Sequence, residues 1–165
     1  MERIEDILAD KIGALINYAL FKVIKPDIRI NDVKALNKGT IRWLKERYGI
    51  EGIILDADET LRHGTRDIPD CNKEWLEMLR GELKDIILSN GWSGKLENYF
   101  KEKNIDYIKL AFKPLKGVFK RACKSMELDP SRVLMVGNDI FDDIYGGKRN
   151  NMMTAHTVDV ERDER

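Results

Sequence analysis

Short aliphatic runs recur along this chain, and between them lie stretches with helical periodicity. Ile53-Ile54-Leu55, Ile86-Ile87-Leu88, Tyr107-Ile108-Lys109-Leu110 and Val133-Leu134-Met135-Val136 are four such runs, and residues 151–158 form a fifth. Runs of this length with large aliphatic residues at consecutive positions suit strands buried on both faces, as in a parallel sheet. The intervening patterns read as helices over residues 40–48, 95–103 and 117–126, with another built on Trp75, Leu76, Leu79 and Leu83. Strand–helix alternation at this spacing is the signature of βαβ units. The expected fold is therefore α/β: a Rossmann-like three-layer sandwich around a mainly parallel five-stranded sheet.

Ligands of such sheets sit outside the carboxyl ends of the strands. Four of the five runs end there in residues able to do chemistry. The first runs into Asp56-Ala57-Asp58-Glu59-Thr60, the second into Ser89-Asn90, the third into Lys113-Pro114 and the fourth into Gly137-Asn138-Asp139 with Asp143. Alternate residues of an extended chain share a face, so Asp56 and Asp58 can point at one spot. Two facing carboxylates repel unless a cation, a bound group or a shared proton intervenes. A net negative, oxygen-rich site with one lysine and one hydroxyl suits a hard divalent cation, above all Mg²⁺. His63 has no second histidine near it and no cysteine stands near a strand end, which argues against zinc or iron. A carboxylate so placed can act as nucleophile on a phosphoryl group, and its companion as acid and base.

Taken together and in this order, the four motifs resemble those of the haloacid dehalogenase (HAD) superfamily, over about residues 50 to 158. The Lys-Pro before a helix, the Asp-Asp-Ile-x-Gly-Gly stretch and the upstream Lys25-Pro26-Asp27 resemble, more narrowly, the capless subclass IIIA and the small YqeG-like phosphatases. Relatives of that group include phosphatidylglycerophosphate phosphatases. The resemblance implies a Mg²⁺-dependent phosphomonoester hydrolase working through an aspartyl-phosphate. Asp56 is then nucleophile and metal ligand, and Asp58 acid and base with its carbonyl on the metal. Ser89, Thr60, Asn90 and Lys113 hold the phosphoryl group, and Asp139 or Asp143 completes the metal shell. Two residues depart from the pattern. Asn138 stands where that branch carries an aspartate, which leaves the third ligand open, and Glu59 is not the residue expected within the first motif.

The connections from Asp56 to Ser89 and from Ser89 to Lys113 hold one helix each and leave no room for a lid. An open site suits a large substrate or a headgroup presented at a surface, and it excludes water poorly unless a neighbouring subunit covers it. The implied partner is a phosphorylated small molecule or a phospholipid headgroup, phosphatidylglycerophosphate being the specific expectation, and a homo-oligomer is compatible with the open site. Arg62, His63 and Arg66 read as a solvated loop after the first motif.

Ahead of this core, residues 4–23 repeat apolar positions at helical spacing, through Ile4, Leu8, Ile12, Leu15, Ala19 and Val23. The stripe packs on protein or lies on a membrane surface through residues 4–24. It is too interrupted for the about 20 apolar residues of a membrane span. The division expected is a single domain over 1–165, with the helix in 1–25 and the catalytic core in 50–158. Lysine plus arginine and aspartate plus glutamate both number 29, and that balance excludes a non-specific nucleic-acid binder. Two distant cysteines and an acidic opening without a secretory pattern fit a cytoplasmic setting, at most peripheral to the inner face of a membrane.

The rival enzyme reading is a phosphatase for a soluble sugar or nucleotide phosphate. Outside enzymes, a phospho-acceptor module of the receiver type uses similar groups, but its acceptor follows a later strand than its metal-binding acidic pair. A degenerate member that binds without turnover is the third reading, suggested by Asn138.

Overall fold

The computed structural model describes residues 22–158 and, ahead of them, Ile12, Leu15 and Ala19. The strands are β1 (Ile28–Ile30), β2 (Gly52–Asp56), β3 (Lys84–Leu88), β4 (Asp106–Ile108), β5 (Val133–Gly137) and β6 (Met153–Thr157). The helices between them are α1 (Lys38–Tyr48), α2 (Asp70–Arg80), α3 (Gly94–Glu102) and α4 (Lys116–Met126). A π-helical segment, Ile140–Tyr145, runs into a short α-turn, Gly146–Lys148. The six strands form one sheet in the order β1-β6-β5-β2-β3-β4, and every pairing is parallel.

The aliphatic runs explain the three layers. Along β2, Ile53 and Leu55 join one core with α1, α2 and α3, contributed by Ile41, Leu44, Trp75, Leu76, Leu79, Leu96 and Phe100. Ile54 faces the other side and packs with Val118, Phe119, Ala122 and Met126 of α4. The same alternation divides Leu134 and Val136 from Val133 and Met135 on β5. A strand with both faces covered needs apolar residues at every position, which is why the runs are continuous.

Among the described residues the sheet has six strands where the sequence suggested five. The additional one is β1, only three residues long, with Arg29 exposed in its middle. It is held by Asp27 rather than by its own apolar pattern. Asp27 Oδ2 accepts from the Thr154 backbone N–H at 2.8 Å and from the Thr154 hydroxyl at 2.9 Å, while Lys148 Nζ donates to Oδ1 at 2.8 Å. Against the desolvation of its partial burial, these bonds hold the Asp27 carboxyl below its ordinary pKa.

Most of the expected N-terminal helix lies outside the described residues. Ile12, Leu15, Ala19, Lys22 and Val23 are helical and exposed. Among the described residues no helix is long and apolar enough to cross a membrane.

Candidate active site

The register of the central strands assembles the site. Asp56, the last residue of β2, pairs with Leu88 of β3, so Ser89 follows directly beside it. On the other flank β5 pairs with β2 and ends at Gly137. Asp56, Ser89 and the segment after Gly137 therefore meet at one sheet edge, and the loop after β4 brings Lys113 across to them.

The centre is a buried triad of charges. Lys113 Nζ lies 2.6 Å from Asp56 Oδ1 and 2.6 Å from Asp143 Oδ1, and all three residues are buried. The Thr60 hydroxyl donates to the second oxygen of Asp56 at 3.2 Å. Asp143 reaches Lys113 because position 137 is glycine: a Cβ there would lie 2.1 Å from Asp143 Oδ2. The Asp139 backbone N–H donates to that oxygen at 3.1 Å.

Two carboxylates against one ammonium leave an excess negative charge out of water. Burial, and next the charge of Asp143, push the Asp56 carboxyl up to about 7, with Lys113 opposing. Burial likewise raises Asp143 against the pull of Lys113. Burial works against the charge of Lys113, yet the two carboxylates hold its pKa above the ordinary lysine value.

Asp58 stands at the half-exposed margin of this centre. Its Oδ1 accepts from Arg62 Nε at 2.8 Å and pairs with the NH2 group at 2.7 Å, and its Oδ2 accepts from the Ser89 hydroxyl at 3.2 Å. Arg62 was expected in a solvated loop and is instead buried, only 6% exposed, with its NH1 group 3.4 Å from Ser93 Oγ. The chain turns back on itself here, the N–H groups of Leu61 and Arg62 both donating to the Ala57 carbonyl. The one legible sign of this partner was opposite charge at four-residue spacing. His63 lies beside Glu59 at 2.6 Å, and Glu59 Oε1 accepts from the Gly64 N–H.

Asn90 acts on the main chain of Lys113, not on the centre directly. Its Oδ1 accepts from the Lys113 N–H at 2.7 Å, and its Nδ2 donates to the Lys113 carbonyl at 3.2 Å and to Asp142 Oδ2 at 2.7 Å. Asp142 was not singled out in the sequence. Its carboxyl rises to about 6, through burial first and then the charges of Asp139 and Asp143.

Of the two candidates for a third metal ligand, Asp143 stands with Asp56 and Asp139 does not. The Asp139 side chain caps the π-helical segment, accepting from the N–H groups of Phe141 at 2.8 Å and Asp142 at 2.7 Å. Among the described residues no three His, Cys, Asp or Glu side chains converge as a preformed metal cluster. The donor set still fits Mg²⁺, which takes one or two carboxylates and fills its shell with water and phosphate oxygens. The surplus negative charge of the triad is what a hard dication would balance.

Comparison with known proteins identifies relatives of the chain. The HAD-hydrolase-like family model matches residues 111–159. The chain is 33% identical over 132 residues to the probable phosphatase YqeG of Bacillus subtilis, covering 78% of this chain and 75% of that protein. It is 29% identical over 126 residues to the glyceraldehyde 3-phosphate phosphatase of Pyrococcus furiosus, covering 76% of this chain but 42% of that longer protein. A crystal structure of a protein from Listeria monocytogenes serotype 4b shares the fold, with a TM-score of 0.55 at 23% identity over 70% of this chain and 84% of the other. With the four strand-end motifs gathered at one edge and a YqeG relative aligned over most of both chains, this protein belongs to the HAD-like phosphatases.

Proposed function

We propose that this phosphatase hydrolyses a phosphomonoester through an aspartyl-phosphate on Asp56, with Mg²⁺ as its cofactor. The observation that carries the reading is the buried Asp56–Lys113–Asp143 triad, a nucleophile held on an ammonium that also meets the incoming phosphoryl oxygens. Asp56 Oδ attacks phosphorus and the ester oxygen leaves with the electron pair of the broken bond. Asp58 supplies the proton to that oxygen and then takes one from the water that opens the aspartyl-phosphate. Ser89 and Thr60 offer hydroxyl donors to the phosphoryl oxygens, and Asn90 keeps the Lys113 main chain in place. Asp56, Asp143 and the Asp58 carbonyl would hold Mg²⁺, with Asp139 the alternative to Asp143. When bound, the ion supplies positive charge to the phosphoryl oxygens.

The test is turnover of an aryl phosphate with and without Mg²⁺, followed by acid quench and a search for phosphate on the protein. Expected are loss of turnover in chelator, recovery with Mg²⁺, and an acid-stable, alkali-labile phosphoryl group on Asp56. Full turnover in chelator would remove the metal from the scheme. Transfer of phosphate without a labelled protein would remove the covalent intermediate.

Arg62 gives a second measurement. A guanidinium against one oxygen, with the Ser89 hydroxyl on the other, fixes the direction in which Asp58 presents its carboxyl. Arg62→Ala is expected to slow alkyl phosphates about 10²-fold, the lower end of what positioned acid–base catalysis supplies, and p-nitrophenyl phosphate far less. Equal losses on both substrates would show that Arg62 supports the fold alone.

For the substrate, the short connections between the motifs and the resemblance of those motifs to a group whose relatives include phosphatidylglycerophosphate phosphatases support a phospholipid headgroup phosphate. The likeness to glyceraldehyde 3-phosphate phosphatase favours a soluble sugar phosphate as the second reading. Comparing kcat/KM on a lipid phosphomonoester in vesicles with that on small sugar phosphates separates the two.

A further inference from the structure

Among the described residues two tyrosine hydroxyls are shut away from water without a hydrogen-bond partner, those of Tyr99 and Tyr107. A phenol so placed costs stability, because it gives up its bonds to water and gains none in return. Tyr99, on α3, feels the charges of Lys103, Glu77, Lys73 and Arg80, none of them a group of the site. Tyr107 lies elsewhere.

The register of the sheet places it. Tyr107 of β4 pairs with Ile87 of β3, and both belong to the core beneath α3, the Tyr107 ring lying 5.1 Å from that of Phe100. Side chains alternate along a strand, so Ser89, two places beyond Ile87, returns to this same face. One strand across and two residues along is about 8 Å between Cα atoms, a gap that the length of a tyrosine side chain bridges. The spacing holds past the end of β3, where the Ser89 N–H donates to the Ile108 carbonyl at 3.0 Å. The surroundings of the phenol agree. Burial first of all raises it above the ordinary tyrosine pKa; the Ser89 side chain lowers it, the Asp58 charge raises it and Arg62 lowers it. Ser89 is near enough to act on the Tyr107 hydroxyl, although no hydrogen bond joins them.

The bonds of Ser89 show what a donor there can do. A serine hydroxyl has one proton to give and room for two donors. Ser89 Oγ gives its proton to Asp58 Oδ2 at 3.2 Å and receives one N–H, that of Gly91, at 3.1 Å. One acceptor place is left. A phosphoryl oxygen entering the site competes with Asp58 for the single proton. A donor arriving at the remaining place on Oγ polarises the Ser89 O–H and fixes its direction.

We propose that Tyr107 is a positioning residue for phosphoryl transfer: with a phosphoryl group bound, its hydroxyl donates to Ser89 Oγ and holds the Ser89 O–H on the phosphoryl oxygen. This rests on the phosphatase reading above, in which Ser89 meets the phosphoryl group. Tyr107 keeps its proton throughout and exchanges an unmade bond for a made one. The penalty of the unpaired phenol falls on the free protein and is relieved in the reacting complex, where an added interaction raises kcat.

Tyr107→Phe takes away the oxygen and leaves the ring on Phe100. It is expected to melt no lower than the wild type and to lower kcat on an aryl phosphate about five- to tenfold, the worth of one neutral hydrogen bond, with KM unchanged. In a Ser89→Ala background the same change is expected to add nothing, because the oxygen it acts through has gone. Tyr99→Phe, which removes the other unpaired phenol, is expected to melt no lower than the wild type and to keep its kcat. Wild-type kcat in Tyr107→Phe overturns the proposal, as does a matching loss in Tyr99→Phe. An equal loss with and without the Ser89 hydroxyl also overturns it, by placing the action of Tyr107 elsewhere. A lowered melt does the same, by showing a bond already made in the free protein. Turnover by the wild type and its loss in Asp56→Asn report the phosphatase reading separately, so a cycle that fails while those hold removes the role of Tyr107 and nothing else.

Discussion

Asp56→Asn is expected to abolish turnover while making the protein more stable. The loss of rate should reach about 10⁴-fold or more, as when a covalent nucleophile is removed. The gain in stability follows from the charge balance of the triad: without the Asp56 carboxylate, Lys113 and Asp143 form a neutral buried pair. The pH dependence has a definite sign. The folded-state pKa of Asp56 is raised to about 7 from 3.8, burial being the first cause, so between those values the folded state holds a proton that the unfolded chain has released. Wild-type stability therefore falls as pH rises through that window, and the Asn variant escapes the fall. Melting curves in chelator at pH 5 and pH 8 check this. The variant's advantage should widen toward pH 8, to a Tm difference of at least about 3 °C. An Asn variant that melts below the wild type at pH 8 would show that Asp56 is not electrostatically strained.

Lys113→Ala should act in the opposite sense on stability and the same sense on activity. It removes the ammonium that lies between two buried carboxylates, and breaking such a pair from one side costs about 3–5 kcal/mol. Chemical denaturation measures the loss directly. Adding Asp56→Asn to Lys113→Ala should recover more stability than the same change gains in the wild type, because one carboxylate then remains where two repelled each other. Additive effects in that double-mutant cycle would deny the coupling that the 2.6 Å contacts describe. Asp56→Asn keeps the volume of the side chain, so its effect on stability reports charge balance and not packing.

The parallel sheet was legible because both faces of its central strands are covered, so every position of Ile53–Leu55 and Val133–Val136 had to be apolar. The edge that bears the site was legible for the same reason, since polar residues after such strands have nowhere else to go. β1 was not legible: Ile28-Arg29-Ile30 has no pattern of its own and depends on a carboxylate that bonds a threonine 127 residues away. Arg62 was missed because burial of an arginine is decided by its partner, and the turn that lays it on Asp58 leaves no composition signal. The choice between Asp139 and Asp143 could not be made from spacing. Both follow Gly137 closely, and the structure separates them by geometry: Asp139 caps the π-helical segment while Asp143 lies on Lys113. The approach of Asp143 to Lys113 depends on the absence of a side chain at Gly137.

The clasp at Asp27 has a mechanical consequence. β1 lies at one border of the sheet, with β6 and β5 between it and β2. A pull arriving through residues ahead of β1 would meet the Asp27–Thr154–Lys148 junction first and peel a three-residue strip from β6. Opening from this end therefore releases the strip at the border first, with two intact strands still standing between it and the strand that carries Asp56.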